Sequence, residues 1–157
     1  MKLDIELVPQ PLWYKNLRAI LPKSVWDKIR QVVYFRSGYM CQACSTPKQE
    51  LADPRLFCHE EWKYDDKKHV QTLVGFRCTC SMCSNINHRG MANVLGIDEN
   101  TIAEHFMRVN SCDRKTYDKH VKESFDLWQR RGRYKWTQDL SRLEELLKEL
   151  GSVPKLE

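Results

Sequence analysis

The chain opens on Leu3-Asp4-Ile5-Glu6-Leu7, apolar and polar in alternation, which is the period of a half-buried strand. Pro9 and Pro11 then interrupt any regular element. A helix is expected to begin after Ser24, an N-cap residue type followed three positions later by Asp27. Trp26, Ile29, Val32 and Val33 share one face of it, so Trp26 reads as core, and Gly38 ends the helix just before Cys41. Residues 41–96 lack long helical periodicity. Within them, residues 56–62 and 70–74 read as the strands of a hairpin, joined through the polar turn around Asp65 and Asp66. A short helix is expected from Cys80 toward Asn93.

The last third is helical by pattern. Asp98 can cap a helix running to Val109, with Ile102, Phe106 and Val109 on one side. A second spans about 114–129 and carries Tyr117, Val121, Phe125 and Trp128. Gly132 separates it from a third, with Leu140, Leu143, Leu146, Leu147 and Leu150, closed by Gly151. That leucine stripe is expected to pack on its own chain; an oligomer interface is the competing use. The pattern predicts an α+β protein with residues 1–40 as a strand and helix packed on a core. Residues 41–96 form the central unit and 97–157 a helical extension, all one compact domain.

The 157 residues are 41% hydrophobic, enough for a core and unlike a disordered chain. No apolar run reaches the ~20 residues a bilayer span needs, so no membrane role is expected. Residues 1–9 contain Asp4 and Glu6 and lack an apolar core, unlike a secretory signal, which points to the cytoplasm. Net charge is +5, a modest excess that matters where it is localised. Arg130, Arg131, Arg133 and Lys135 lie within six residues, beside Tyr134 and Trp136. Phosphate contacts with aromatic stacking, or cations solvated at a helix C-terminus, both fit that segment.

The seven cysteines are an odd number, and six of them fall between Cys41 and Cys83, which suits a metal centre better than a disulfide scaffold. Cys41-x-x-Cys44 and Cys80-x-x-Cys83 are two knuckles separated by 35 residues. Each lets two thiolates point at one ion, and together they make a closed tetrahedral zinc shell, structural in kind. The long separation calls for a β-hairpin between the first knuckle and a helix-borne second one, the arrangement of a treble clef. Cys78 and Cys58 are further thiols nearby; a Cys78/Cys80 pair makes a poorer knuckle, and a mixed shell is the alternative ligand set. His69, His105 and His120 read as exposed or boundary residues without a role.

Taken with His59-Glu60-x-Trp62-x-Tyr64-Asp65, Gln71-x-Leu73-x-Gly75 and His88-x-Gly90, the two knuckles resemble the HNH endonuclease family, in its zinc-stapled bacterial and phage form. The resemblance extends to residues 9–18, Trp26-Asp27-x-Ile29-Arg30, Trp128 and Trp136-x-x-Asp139-Leu140. It implies a ββα-metal core that hydrolyses phosphodiesters, with His59 as general base and His88 as a ligand of a second divalent ion such as Mg²⁺, Mn²⁺ or Ni²⁺. It also implies backbone-dominated binding of nucleic acid, with Lys63, Lys67, Lys68 and Arg89 on phosphates beside Arg130, Arg131, Arg133 and Lys135. The sequence departs from the family at Ser84, where a histidine ligand is usual, and at Phe57 and Cys58, where acidic or histidine side chains are usual. Kept knuckles with altered ligands fit two functions. One is an endonuclease of reduced activity. The other is a silent HNH-like module that binds nucleic acid or a protein partner, as a phage or mobile-element regulator or inhibitor does.

Overall fold

A computed structural model describes residues 1–151, so the expectation for residues 152–157 lies outside the described residues. The observed helices are α1 (Leu17–Ile20), α2 (Lys23–Arg36), α3 (Ser81–Asn87), α4 (Arg89–Val94), α5 (Glu99–Asn110), α6 (Arg114–Arg131) and α7 (Leu143–Leu150). The strands are β1 (Leu56–Asp65), β2 (Val70–Cys80) and β3 (Thr137–Asp139), forming one sheet in the order β1-β2-β3. The chain is therefore mixed α+β, as its pattern predicts.

Residues 3–7 correct the first expectation. Leu3 and Ile5 are buried as the alternation requires, but the segment pairs with no strand. Two asparagine side chains satisfy its backbone instead. Asn110 Nδ2 donates to Leu3 O at 2.8 Å while Asn110 Oδ1 accepts from the Leu3 N–H at 3.1 Å. Asn87 Nδ2 donates to Asp4 O at 2.7 Å, and the Glu6 N–H reaches Asn87 O at 3.0 Å. Every backbone polar group near a core needs a partner, and a side-chain amide supplies both roles.

The start of α2 is a second correction. Pro22, not Ser24, holds the cap position, and the N–H groups of Val25 and Trp26 both reach Pro22 O. Ser24 sits inside the first turn, and Asp27 pairs with Lys23 and Arg30 rather than capping. At the other end Gly38 adopts φ +63, a left-handed conformation that costs a residue with a Cβ more than it costs glycine.

The hairpin is longer than the pattern suggests and runs antiparallel with Leu56 opposite Cys80 and Asp65 opposite Val70. Its register shifts between Glu61 and Trp62, a bulge. Asp65 stabilises the turn by accepting from the N–H groups of Lys67 and Lys68, as expected of a turn residue. The strand β3 interrupts what reads as an all-helical last third. It pairs parallel with β2, Thr137 to Val70, where the three residues Thr-Gln-Asp show no apolar alternation to announce them.

Two apolar clusters make up the core. One gathers Leu3, Ile5, Cys41, Cys80, Cys83, Ile86, Ile102, Phe106 and Tyr117 between the opening segment, α3, α5 and α6. The other gathers Leu17, Trp26, Ile29, Val33, Leu73, Cys78 and Leu146, so the leucine stripe of α7 packs against α2 and β2 of its own chain. Among the described residues, no helix is long and apolar enough to cross a membrane.

Candidate metal centre and the histidine-lined cavity

The first knuckle is a turn beyond α2. The Ser45 N–H bonds Cys41 O at 2.8 Å, with Ser45 itself at φ +59. In the second, Cys80 ends β2 as the N-cap of α3 and Cys83 lies in that helix's opening turn, where unpaired N–H groups and the helix dipole favour thiolates. The four Sγ atoms lie within 4.8 Å of one another, and those of Cys44 and Cys80 are 3.9 Å apart. A tetrahedral Zn–S shell at ~2.3 Å places sulfurs about 3.8 Å apart, so the donor set fits zinc in number, chemistry and spacing.

At these distances the thiols compete for protons. Hydrogen bonding to Cys41 first, and to the other sulfurs next, draws Cys44 down and pushes Cys80 and Cys83 up. A divalent cation favours the thiolate at every position. Cys58 and Cys78 belong to neither knuckle: they sit opposite each other in the hairpin, on the side of the other apolar cluster. Burial pushes Cys58 up to about 12 and raises Cys78 as well.

His105, given no role from sequence, stands against this centre. Its Nε2 lies 3.1 Å from Cys83 Sγ, and the Arg108 guanidinium donates to its Nδ1 at 2.8 Å. A guanidinium can only donate, so Nδ1 is the acceptor and Nε2 carries the hydrogen that faces the sulfur. An N–H donor to a thiolate offsets part of the charge on a four-cysteine site.

His59 is buried in β1. Its Nε2 is 3.2 Å from Glu6 Oε2, and the Tyr64 hydroxyl donates to Glu6 Oε1 at 3.0 Å. Gln71 Nε2 donates to Tyr64 Oη at 2.9 Å, and Gln138 Nε2 donates to Gln71 Oε1 at 2.9 Å. This directed chain runs from β3 through the hairpin to the carboxylate. With Glu6 accepting from Nε2–H, the lone pair of His59 resides on Nδ1. In an unbroken strand His59 and Tyr64, five residues apart, face opposite sides; the bulge after Glu61 brings both to Glu6. Burial, then the nearby Glu6 charge, raises the Tyr64 phenol and keeps it neutral.

The His88 ring meets His59 edge to face, with centroids 4.9 Å apart. Although part of its side chain reaches solvent, desolvation first and then His59 lower its pKa below the usual imidazole range. Among the described residues, however, only the four cysteines form a group of three or more metal donors.

A cavity of about 440 Å³ opens beside His59, lined among others by Asp4, Glu6, Glu61, His120 and Arg131. His120, also given no role from sequence, lies 2.7 Å from Asp4 Oδ1 and stacks on Phe106. Burial alone would raise the Asp4 carboxyl, but the hydrogen bond and charge of His120 hold it below the ordinary aspartate value.

The basic residues divide. Arg89 is corrected outright: it is buried, its guanidinium taken by Glu99 and Asn93, because α4 turns it inward onto α5. Arg131 is also engaged, forked onto Asp66 at 2.7 and 2.8 Å and lying 4.1 Å from the Tyr64 ring centroid. Lys63, Arg130, Arg133 and Lys135 are exposed, as are Lys67 and Lys68. The fork and the His69–Tyr134 stack draw the hairpin turn and the segment after α6 together, so two basic stretches far apart in sequence make one edge.

That fork has a pH signature. Arg131, through its hydrogen bonds, holds the Asp66 carboxyl below its usual 3.8. The tie is fully formed above that value and is lost as pH falls through the lower folded value. Asp66→Asn is expected to remove this acid dependence and to cost about 1 kcal/mol or less, since Asp66 is half exposed. Ring shifts of His69 and Tyr134 followed by NMR against pH check it; an unchanged acid titration in the variant refutes it.

Comparison with protein-family models, with curated proteins and with solved structures found no match.

Proposed function

We propose that this chain is an HNH-like zinc protein, with a treble-clef centre around its four cysteines, that binds nucleic acid through the phosphate backbone. The observation that carries the reading is the edge where the hairpin turn meets the segment after α6, which bears Lys67, Lys68, Arg130, Arg133 and Lys135. None of these five has a carboxylate partner among the described residues, whereas Asp65 and Asp66 beside them are occupied by turn N–H groups and by Arg131. Cations without partners, held on a braced hairpin, suit a polyanion that releases counterions on binding. The expected result is binding that weakens linearly in log K against log salt. Lys67→Glu with Lys68→Glu should lose about tenfold in affinity and flatten the slope by roughly one to two. Salt-independent binding, or an unaltered slope in the variant, overturns the proposal.

A second reading, phosphodiester hydrolysis, is favoured by the Glu6–His59 dyad. A carboxylate that fixes the imidazole orientation and stabilises its protonated form is the support a general base uses. On this reading His59 takes a proton from water through Nδ1, Glu6 balances the imidazolium charge, and Tyr64 and Gln71 hold Glu6 in place. His59→Ala is expected to abolish cleavage of plasmid DNA supplied with Mg²⁺, Mn²⁺ or Ni²⁺, and Glu6→Gln to reduce it about 10²-fold. Equal cleavage by wild type and His59→Ala refutes it, and absence of cleavage by the wild type leaves the binding reading standing alone.

A further inference from the structure

We propose that the open face of Tyr134 is a stacking platform for an unpaired nucleotide base, so that the basic edge takes single-stranded nucleic acid in preference to duplex. This rests on the nucleic-acid reading above and names its substrate class.

Tyr134 is 51% exposed although one face of its ring is already covered. His69 lies against that face with centroids 4.2 Å apart and planes only 14° from parallel. The lower layer is itself held. His69 adopts φ +53 at the end of the hairpin turn, its backbone carbonyl accepts the Thr137 N–H at 3.0 Å, and its ring meets Trp136 edge to face. Trp136 is buried and donates its indole N–H to Arg131 O at 2.8 Å. An aromatic ring fixed on one side and bare on the other offers a flat partner without loss of side-chain freedom on binding.

The flanks supply phosphate contacts at the spacing of neighbouring residues. Lys67 and Lys68 precede His69, and Arg133 and Lys135 bracket Tyr134; all four are exposed. An exposed tyrosine between cations suits a chain that presents bases and phosphates alternately. Duplex bases are already stacked on their neighbours and expose no face to the ring. An unpaired base does, and it can stack there whatever its identity.

The test compares the zinc-loaded full chain with Tyr134→Ala and Tyr134→Phe, using fluorescence anisotropy on a short oligo-dT and on a duplex of equal length. An oligonucleotide carrying 2-aminopurine reports stacking by quenching. Tyr134→Ala is expected to weaken single-strand binding roughly tenfold and to abolish the quenching, with duplex affinity unchanged. Tyr134→Phe should behave as wild type, because stacking needs the ring and not the hydroxyl. Equal loss on both nucleic acids, or no loss on either, overturns the platform while leaving phosphate binding intact. Capture of an acidic peptide in place of either nucleic acid, or no binding of any oligonucleotide at low salt, overturns both readings.

Discussion

With zinc in the four-cysteine centre, as proposed, its removal is expected to abolish cooperative folding of this chain. The centre joins the turn after α2 to the start of α3 across 35 intervening residues, and three of its cysteines are buried within one apolar cluster beside Leu3, Ile86, Ile102 and Phe106. Without a cation those sulfurs are polar, proton-competing groups in a core, and the closure of the intervening loop is lost. Structural zinc contributes ~10–16 kcal/mol in small domains, while whole domains are stable by only about 5–15 kcal/mol. The metal term is thus as large as the total. A chelator such as 1,10-phenanthroline, or the substitution Cys80→Ser, should eliminate the cooperative melt, with one zinc per chain counted before treatment. A thermal transition that survives complete metal removal refutes it.

The second large effect is expected from Phe106→Ala. Phe106 is fully buried on α5, where it meets the Tyr117 ring at 5.1 Å and the His120 ring at 5.3 Å, both from α6. Truncation removes the transfer energy of the ring and leaves a cavity that two helices cannot readily close, about 3–5 kcal/mol in comparable sites. The loss should also loosen His120 from Asp4 and, through α5, the His105 contact to Cys83. Chemical denaturation measures the stability change, and zinc release to a colorimetric chelator should accelerate with it. A change below about 1 kcal/mol contradicts the packing described. The ordinary surface control is Lys119→Ala, whose partner Glu123 is exposed and whose loss should be nearly silent.

What was legible in the sequence is what local spacing determines. Two C-x-x-C pairs announce their own convergence, because each knuckle is complete within four residues. Asp98 caps α5 as expected, accepting the Thr101 N–H at 2.9 Å, since a cap is set by three neighbouring positions. Leu3 and Ile5 are inside because alternation decides a face. Alternation does not name the partner, however, and Asn110, which completes the backbone of Leu3, is 107 residues away. Glu6 was hidden for the same reason: its place on the polar side was visible, its meeting with His59 was not. The bulge that turns Tyr64 toward Glu6 has no residue signature between Glu61 and Trp62. His105 and His120 are isolated on their helices, and nothing near them in sequence marks a sulfur or a carboxylate across the fold. Arg89 misled because charge suggests exposure, while the carboxylate that takes its guanidinium, on the half-exposed Glu99, lies ten residues on.

The long reach from Leu3 to Asn110 also orders events in time. Residues 3–7 leave the ribosome well before their two asparagine partners, Asn110 emerging only after the whole hairpin and both knuckles. The segment that carries Glu6 is therefore expected to dock late, after His59 and its strand have been made. A nascent chain halted short of Asn110 is expected to present the His59 imidazole with no carboxylate secured behind it. The pairing of Glu6 with His59 is thus expected to be complete only once α5 has been made.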